Sequence, residues 1–125
     1  MSSDLWNERT KQLLRELEEA REPSLTLDQW LHLTHKPNEP MRNALEYTAK
    51  LNHAASLTDG RKIWMEVVGP RSYLHIPSPS PNWWSCRMIW YSDDSNNGRE
   101  VYVWAATEQL VRCAAYVALR LKGMP

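Results

Sequence analysis

The chain has 125 residues, and its fifteen Lys and Arg are balanced by fifteen Asp and Glu, so the formal net charge is zero. This length predicts one domain with room for an appendage, and the neutral balance gives no global electrostatic argument for a nucleic-acid or membrane partner. The charge is uneven, because residues 61–125 hold eight basic against five acidic residues. That excess is a weak indication of a partner for the C-terminal half. No secretory leader or long apolar run is visible, which predicts no membrane span.

The aromatic and cysteine content is unusual. Seven tryptophans occur with no phenylalanine, so tryptophan is expected to fill the core, and Trp83 with Trp84 are candidates for an exposed contact surface. Cys86 and Cys113 lack the spacing of a zinc site or a disulfide framework. They predict buried free thiols in a reducing, intracellular compartment, either cytoplasm or nucleus.

Two helices are predicted in the N-terminal third. Residues 4–22 have an amphipathic pattern that ends before Pro23, and a second short helix is expected to start at Thr26 with Gln29 as its capping-box partner. We expect these helices to bury five large apolar side chains, on the rest of the domain or on a second copy. They are Trp6, Leu13, Leu17, Trp30 and Leu31.

A break rich in proline, at residues 36–40, divides the chain into a helical N-terminal arm, residues 1–38, and a domain, residues 39–125. In this domain the pattern predicts a helix over residues 40–55 and a strand over residues 62–68.

A proline-rich segment, residues 71–82, predicts a projecting extended loop, with one extra short strand at residues 73–76 as an alternative. It precedes two alternating strands, around residues 87–91 and 100–104, that are joined by a polar turn at residues 93–98. An alanine-rich helix follows, and its small side chains are expected to let it lie close to the sheet. The fold class is therefore α+β, with the order α-β-β-β-α after the helical arm.

Three motifs in this order resemble those of the double-stranded RNA-binding domain family. Residues 44–47 (Ala-Leu-Glu-Tyr) are similar to a Leu-Asn-Glu-Tyr pattern in the first helix of that family, and residues 69–70 (Gly-Pro) to the turn after its first strand. Residues 114–119 (Ala-Ala-Tyr-Val-Ala-Leu) fit its Ala-Ala-x-x-Ala-Leu pattern. The resemblance covers about two thirds of the chain and implies a three-stranded antiparallel sheet with two helices on one face.

The resemblance also implies RNA-binding residues. Glu46 matches a minor-groove contact to a 2′-hydroxyl, and Arg71 lies where the Gly-Pro turn reaches the next groove. Thr107 starts the segment that matches the lysine clamp of the family, but all three lysines are absent from residues 107–111. Arg99 and Arg112 are candidates to replace them as phosphate contacts.

The sequence therefore predicts a non-enzymatic module that binds double-stranded RNA weakly, through duplex shape. The alternative is a protein-interaction or dimerisation module of the same fold, with the Trp-rich strand surface or the helical arm as contacts, because family members without the lysines often have that role. His32 and His35 have a spacing that can hold zinc, but no cysteine or carboxylate cluster completes a site. No catalytic motif is present, so neither a metal nor another cofactor is predicted.

Overall fold

The computed structural model describes residues 2–70, 83–92 and 98–125. The predicted loop at residues 71–82 and most of the predicted hairpin turn lie outside these ranges. The helices are α1 (Ser2–Glu19), α2 (Leu25–His35), a 3₁₀ turn (Met41–Asn43), α3 (Leu51–Ser56) and α4 (Glu108–Leu121), and the strands are β1 (Ile63–Val68), β2 (Trp84–Tyr91) and β3 (Gly98–Ala105).

The strands form a three-stranded antiparallel sheet in the order β1-β2-β3. Successive side chains of a strand point to opposite faces, and the alternation of the sequence places one apolar set on the side of the helices. Cys86 and Met88 of β2 and Val103 of β3 are buried there. The α+β class, predicted from the alternation and the turn residues, is confirmed, and the three-stranded antiparallel sheet that the resemblance implies is present.

Helix α4 packs against β2 and β3. Thr107 caps its N-terminus, and Ala114, Ala115 and Ala118 are buried as predicted. Small side chains leave room for the close approach of the helix backbone to the sheet, so the alanine stripe explains the position of α4.

Helices α1 and α2 add to the same core. Helix α1 contacts α4 and β3, and Leu13, Leu17 and Leu31 are fully buried, whereas Trp6 and Trp30 are only partly buried. The cap of α2 was predicted wrongly: Ser24, not Thr26, precedes the helix, and its hydroxyl accepts the N–H of Leu27 at 3.2 Å.

The predicted helix over residues 40–55 is also wrong in its extent. Only the 3₁₀ turn and α3 are helical, and the residues between them follow a turn instead. Asp28 explains this path, because its Oδ1 accepts two hydrogen bonds from Thr48. The backbone N–H of Thr48 donates at 2.8 Å, and the Thr48 hydroxyl donates at 2.7 Å. The Thr48 hydroxyl also accepts the N–H of Ser24 at 2.9 Å. The bond from the Thr48 N–H to Asp28 therefore replaces the i to i−4 bond that this residue would donate in a helix.

Both cysteines are free and buried, as predicted. Trp83 and Trp84 are partly buried, and Trp84 packs against the core. Among the described residues, no helix is both long enough and apolar enough to cross a membrane.

Candidate interaction surface

One face of the sheet carries aromatic and apolar side chains without a helix over them in the described part of the chain. The helices occupy the face of Cys86 and Met88, so the alternate positions of each strand point to the other side. We call this side the open face. Its apolar members are Trp64, Val68, Ile89, Tyr91, Tyr102 and Trp104.

Charged side chains cross the middle of the open face. Glu66 on β1 is opposite Arg87 on β2, and the Arg87 guanidinium donates from Nε to Oε1 of Glu100 on β3. The same guanidinium lies over the ring of Trp64, with its central carbon 5.2 Å from the ring centroid. The open face therefore combines an acid–arginine–acid set with exposed aromatic area.

The aromatic side chains of this face are partly held by local packing. Tyr91 is opposite Gly98, and a Cβ at Gly98 would lie 2.4 Å from Cγ2 of Ile89 and 3.0 Å from Cε1 of Tyr91. Glycine is therefore required where these side chains cross the neighbouring strand. Trp64, near the start of the edge strand β1, remains 43% exposed, and Tyr91, at the end of β2, remains 36% exposed.

Trp104 adds an unsatisfied donor to the open face. Its ring lies 6.1 Å from that of Tyr102, and its Nε1–H is shielded from water without an acceptor among the described residues. Buried indole N–H groups normally have a hydrogen-bond partner. An acceptor supplied by a bound molecule would satisfy this group.

The predicted minor-groove residue, Glu46, is exposed but does not lie in a helix. Its carboxylate pairs with Lys50, with Oε2 and Nζ 2.9 Å apart, and the hydrogen bond from Lys50 lowers the pKa of Glu46. The Glu46 backbone N–H is donated to Nδ1 of His53 at 3.0 Å. The helical register that the family motif implies for this position is therefore absent.

Thr107 and Arg112 lie together at the start of α4, and both side chains are engaged there. The Thr107 hydroxyl accepts the N–H of Leu110 at 3.1 Å as the helix cap. Arg112 donates from Nε to Oε2 of Glu108 at 3.0 Å. Because Glu108 neutralises Arg112, the start of α4 does not offer a group of free cations.

Arg99 is separated from those residues. It is exposed near the start of β3, whereas Thr107 follows the other end of that strand. Six residues of extended chain span about 20 Å. Arg71 lies outside the described residues. The structure therefore brings Thr107 and Arg112 together and leaves Arg99 at the opposite end of the sheet.

The histidines considered for zinc have separate partners. Nε2 of His32 lies 3.1 Å from the backbone oxygen of Glu39, and Nδ1 of His35 lies 2.9 Å from the hydroxyl of Tyr116. Within the described ranges, no group of three or more His, Cys, Asp or Glu side chains is arranged to hold a metal ion.

A shallow groove of about 630 Å³ lies beside the end of α1 and the start of α2. Its lining includes Glu16, Glu19 and Glu22 together with Arg21 and Trp30. The acidic side chains give it the opposite charge from that required to bind nucleic acid.

Comparison of the chain with models of protein families, with curated proteins and with solved structures gives no match in any of the three.

Proposed function

We propose that this chain is a non-enzymatic protein-interaction module, and that its open face binds the open face of a second copy. The observation that carries the proposal is a row of apolar side chains on a sheet face that no described helix covers. Trp64 and Tyr91 in this row are exposed, and the others are partly buried. Exposed contiguous apolar area of this kind is typical of association surfaces. Buried, free thiols at Cys86 and Cys113 support an intracellular location for the module.

The choice of a second copy rests on charge complementarity. Trp64 is opposite Ile89, and Glu66 is opposite Arg87, across the β1–β2 pair. A two-fold axis that runs parallel to the strands, midway between β1 and β2, exchanges these strands between two stacked sheets. It sets Glu66 of each copy against Arg87 of the other copy, and Trp64 against Ile89. Opposite charges therefore face each other at both positions, as a self-complementary two-fold interface requires, and Arg87 lies between its own Glu100 and Glu66 of the other copy.

The size of the face sets the expected strength. In this arrangement only β1 and β2 overlap between the copies. Two strands about 4.8 Å apart and about 20–25 Å long give roughly 200–240 Å² of projected area on each copy, well below the roughly 800 Å² per partner of a standard stable interface. We therefore expect a weak dimer that is visible at protein concentrations of tens to hundreds of micromolar and persists when the salt concentration is raised, because much of the contact is apolar.

Sedimentation equilibrium of the full chain tests the proposal with a charge-exchange pair. Glu66→Arg and Arg87→Glu should each weaken self-association, because each variant places like charges opposite one another in its own homodimer. An equimolar mixture of the two variants should associate again, because the heterodimer has opposite charges at both positions. A mixture that stays as monomeric as its components would contradict the two-fold arrangement.

Trp64→Ala should also weaken the dimer, and Leu25→Ala is its matched control, since Leu25 is 70% exposed on α2 and lies away from the sheet. Equal effects of these two changes would indicate non-specific association.

Duplex RNA is the competing outcome. We would measure fluorescence anisotropy of a labelled duplex of about 20 base pairs, longer than the roughly 16 base pairs that a double-stranded RNA-binding domain spans, at low salt. Saturable binding that Glu108→Lys strengthens and Trp64→Ala leaves unchanged would replace the interaction proposal with the RNA proposal. Absence of binding by both the wild type and Glu108→Lys, together with a dimer that Trp64→Ala weakens, would support the interaction proposal.

A further inference from the structure

A second feature lies on the helix side of the sheet, where two arginines meet the buried ring of Tyr116. Tyr116 is in the middle of α4 and is fully buried. The central guanidinium carbons of Arg61 and Arg120 each lie 5.8 Å from the centroid of its ring. Arg61 precedes β1 and Arg120 is in the last turn of α4, so residues far apart in the sequence bring two positive charges to one aromatic ring.

The hydroxyl of Tyr116 is the centre of this cluster. It accepts a hydrogen bond from Nη1 of Arg120 at 2.7 Å, and Nδ1 of His35 lies 2.9 Å away. Burial raises the pKa of Tyr116, and the positive charges of Arg120 and Arg61 act against this rise. Both guanidinium groups therefore lie beside the same buried ring, and Arg120 contacts its hydroxyl directly.

The other groups around the two arginines are backbone oxygens and one more aromatic ring, since the central guanidinium carbon of Arg120 also lies 5.5 Å from the centroid of the Trp6 ring. Nη1 of Arg61 donates to the backbone oxygen of Pro125 at 2.5 Å, and Nη1 of Arg120 also donates to that of Thr34 at 2.9 Å. In the part of the chain that the structure describes, no carboxylate side chain forms an ion pair with either guanidinium. Arg87 and Arg112, by contrast, each have a glutamate partner.

Each of the two arginines also has a donor without a partner. Nε of Arg61 and Nε of Arg120 are shielded from water and have no acceptor among the described residues. An arginine side chain normally uses its planar set of donors for carboxylate or phosphate groups. Both residues are partly exposed as a whole, whereas their Nε atoms are shielded.

The titration of His35 is consistent with a positive, poorly hydrated environment. Burial, followed by the charges of Arg61, Lys36, Arg120 and His32, lowers the pKa of His35 to about 4. His35 is therefore neutral at pH 7, so it adds no third positive charge to the two arginines beside the Tyr116 ring.

From this arrangement we propose that Arg61 and Arg120, with the hydroxyl of Tyr116 between them, form a binding site for a phosphate-type oxyanion. The oxygens of the anion would accept from the two Nε–H groups that now lack partners and would neutralise the two cations. Because these donors are shielded from water, binding requires the two arginine side chains to move apart. The proposal concerns the helix side of the sheet and is independent of the open face.

NMR of the arginine Nε–H groups tests the site directly. The full chain would be titrated with inorganic phosphate at constant ionic strength, with sodium chloride replaced as phosphate is added. The Arg61 and Arg120 Nε–H resonances should move along one common saturable curve. Arg112 is an internal control in the same spectrum, because its Nε already donates to Glu108, and its resonance should stay in place. Shifts that are equally small and unsaturated for all three would overturn the proposal.

A matched pair of variants gives a second measurement. Arg61→Lys keeps the charge but removes Nε and the planar donor set, and it should raise the dissociation constant for phosphate about tenfold, the equivalent of one hydrogen bond to a charged group. Arg87→Lys makes the same chemical change on the open face and should leave the constant unchanged. Equal constants for the wild type and Arg61→Lys would refute the site. If Arg61→Lys does not fold, the wild-type titration alone decides.

Discussion

Replacing Asp28 with alanine should destabilise the protein by removing the anchor of residues 44–50. Asp28 is 4% exposed, and its Oδ1 accepts both the backbone N–H and the hydroxyl of Thr48. The hydroxyl keeps a second acceptor, the backbone oxygen of Ser24 at 3.2 Å, but the Thr48 N–H is left without an acceptor in a buried position. One lost hydrogen bond to a carboxylate plus one orphaned donor predicts a loss of about 2–4 kcal/mol in the free energy of unfolding.

Urea unfolding followed by tryptophan fluorescence measures this loss. Asp28→Asn is the matched control, because it keeps an oxygen at the same position and should lose only about 1 kcal/mol. A double-mutant cycle with Thr48→Val isolates the part of the effect that passes through the Thr48 hydroxyl. A loss below about 0.5 kcal/mol for Asp28→Ala, the range of ordinary surface substitutions, would refute the reasoning that these bonds divert the chain from a helix.

Three further predictions concern the core and the titratable groups. Ala115→Leu should lower the free energy of unfolding by about 1–3 kcal/mol through overpacking between α4 and the sheet, whereas Ala44→Leu, at a partly exposed position, should change it by less than about 0.5 kcal/mol. Burial and neighbouring cations lower the pKa of His35 from 6.5 to about 4. As the pH falls below about 6.5, His35 is therefore protonated in the unfolded chain but not in the folded one, so the free energy of unfolding should decrease between about pH 6.5 and 4. His35→Gln should flatten that part of the stability profile, and an NMR titration that gives His35 a midpoint near 6.5 would contradict it. Burial raises the pKa of Cys86 to about 12 and also raises that of Cys113, so both thiols should react with a disulfide reagent only on addition of urea, and rapid reaction of the native protein would show that the burial is wrong.

The hairpin and α4 were predictable because their signals are local. Alternating apolar residues identify β2 and β3, and the small side chains at Ala114, Ala115 and Ala118 identify the buried stripe of α4. Each of these patterns concerns neighbours along one element, so the burial of the side chains follows from the period of that element.

The path of residues 44–50 was not predictable from such patterns. Its sequence has a helical period, but the competing bonds come from Ser24 and Asp28, about twenty residues earlier. No local pattern signals a buried aspartate that accepts a backbone N–H from another segment. Tertiary hydrogen bonds overcame a modest local propensity, as they often do.

The candidate sites also differ in how far the sequence could predict them. The open face could have been read from the sequence, because Trp64, Tyr102 and Trp104 occupy the strand positions that alternate with the core residues. Arg61 and Arg120 gave no sequence signal, since they are separated by almost half of the chain and meet only through the packing of α4 near the start of β1. The RNA-contact residues were chosen by motif, and Thr107 and Arg112 proved to be engaged with their own helix.

The two proposed sites lie on opposite sides of one sheet, and this position makes a last prediction about their independence. Tyr116 and Arg120 belong to α4, which covers the face of Cys86 and Met88, whereas Trp64 is on the open face. The sites share no residue, so binding at one site can change binding at the other only through a change in the sheet itself. A closely packed sheet resists such a change. Saturating phosphate should therefore leave the dimer dissociation constant unchanged, and Trp64→Ala should leave the phosphate dissociation constant unchanged, since coupling between two equilibria is reciprocal. A shift of tenfold or more in either constant, about 1.4 kcal/mol of coupling, would mean that the sheet transmits binding from one side to the other.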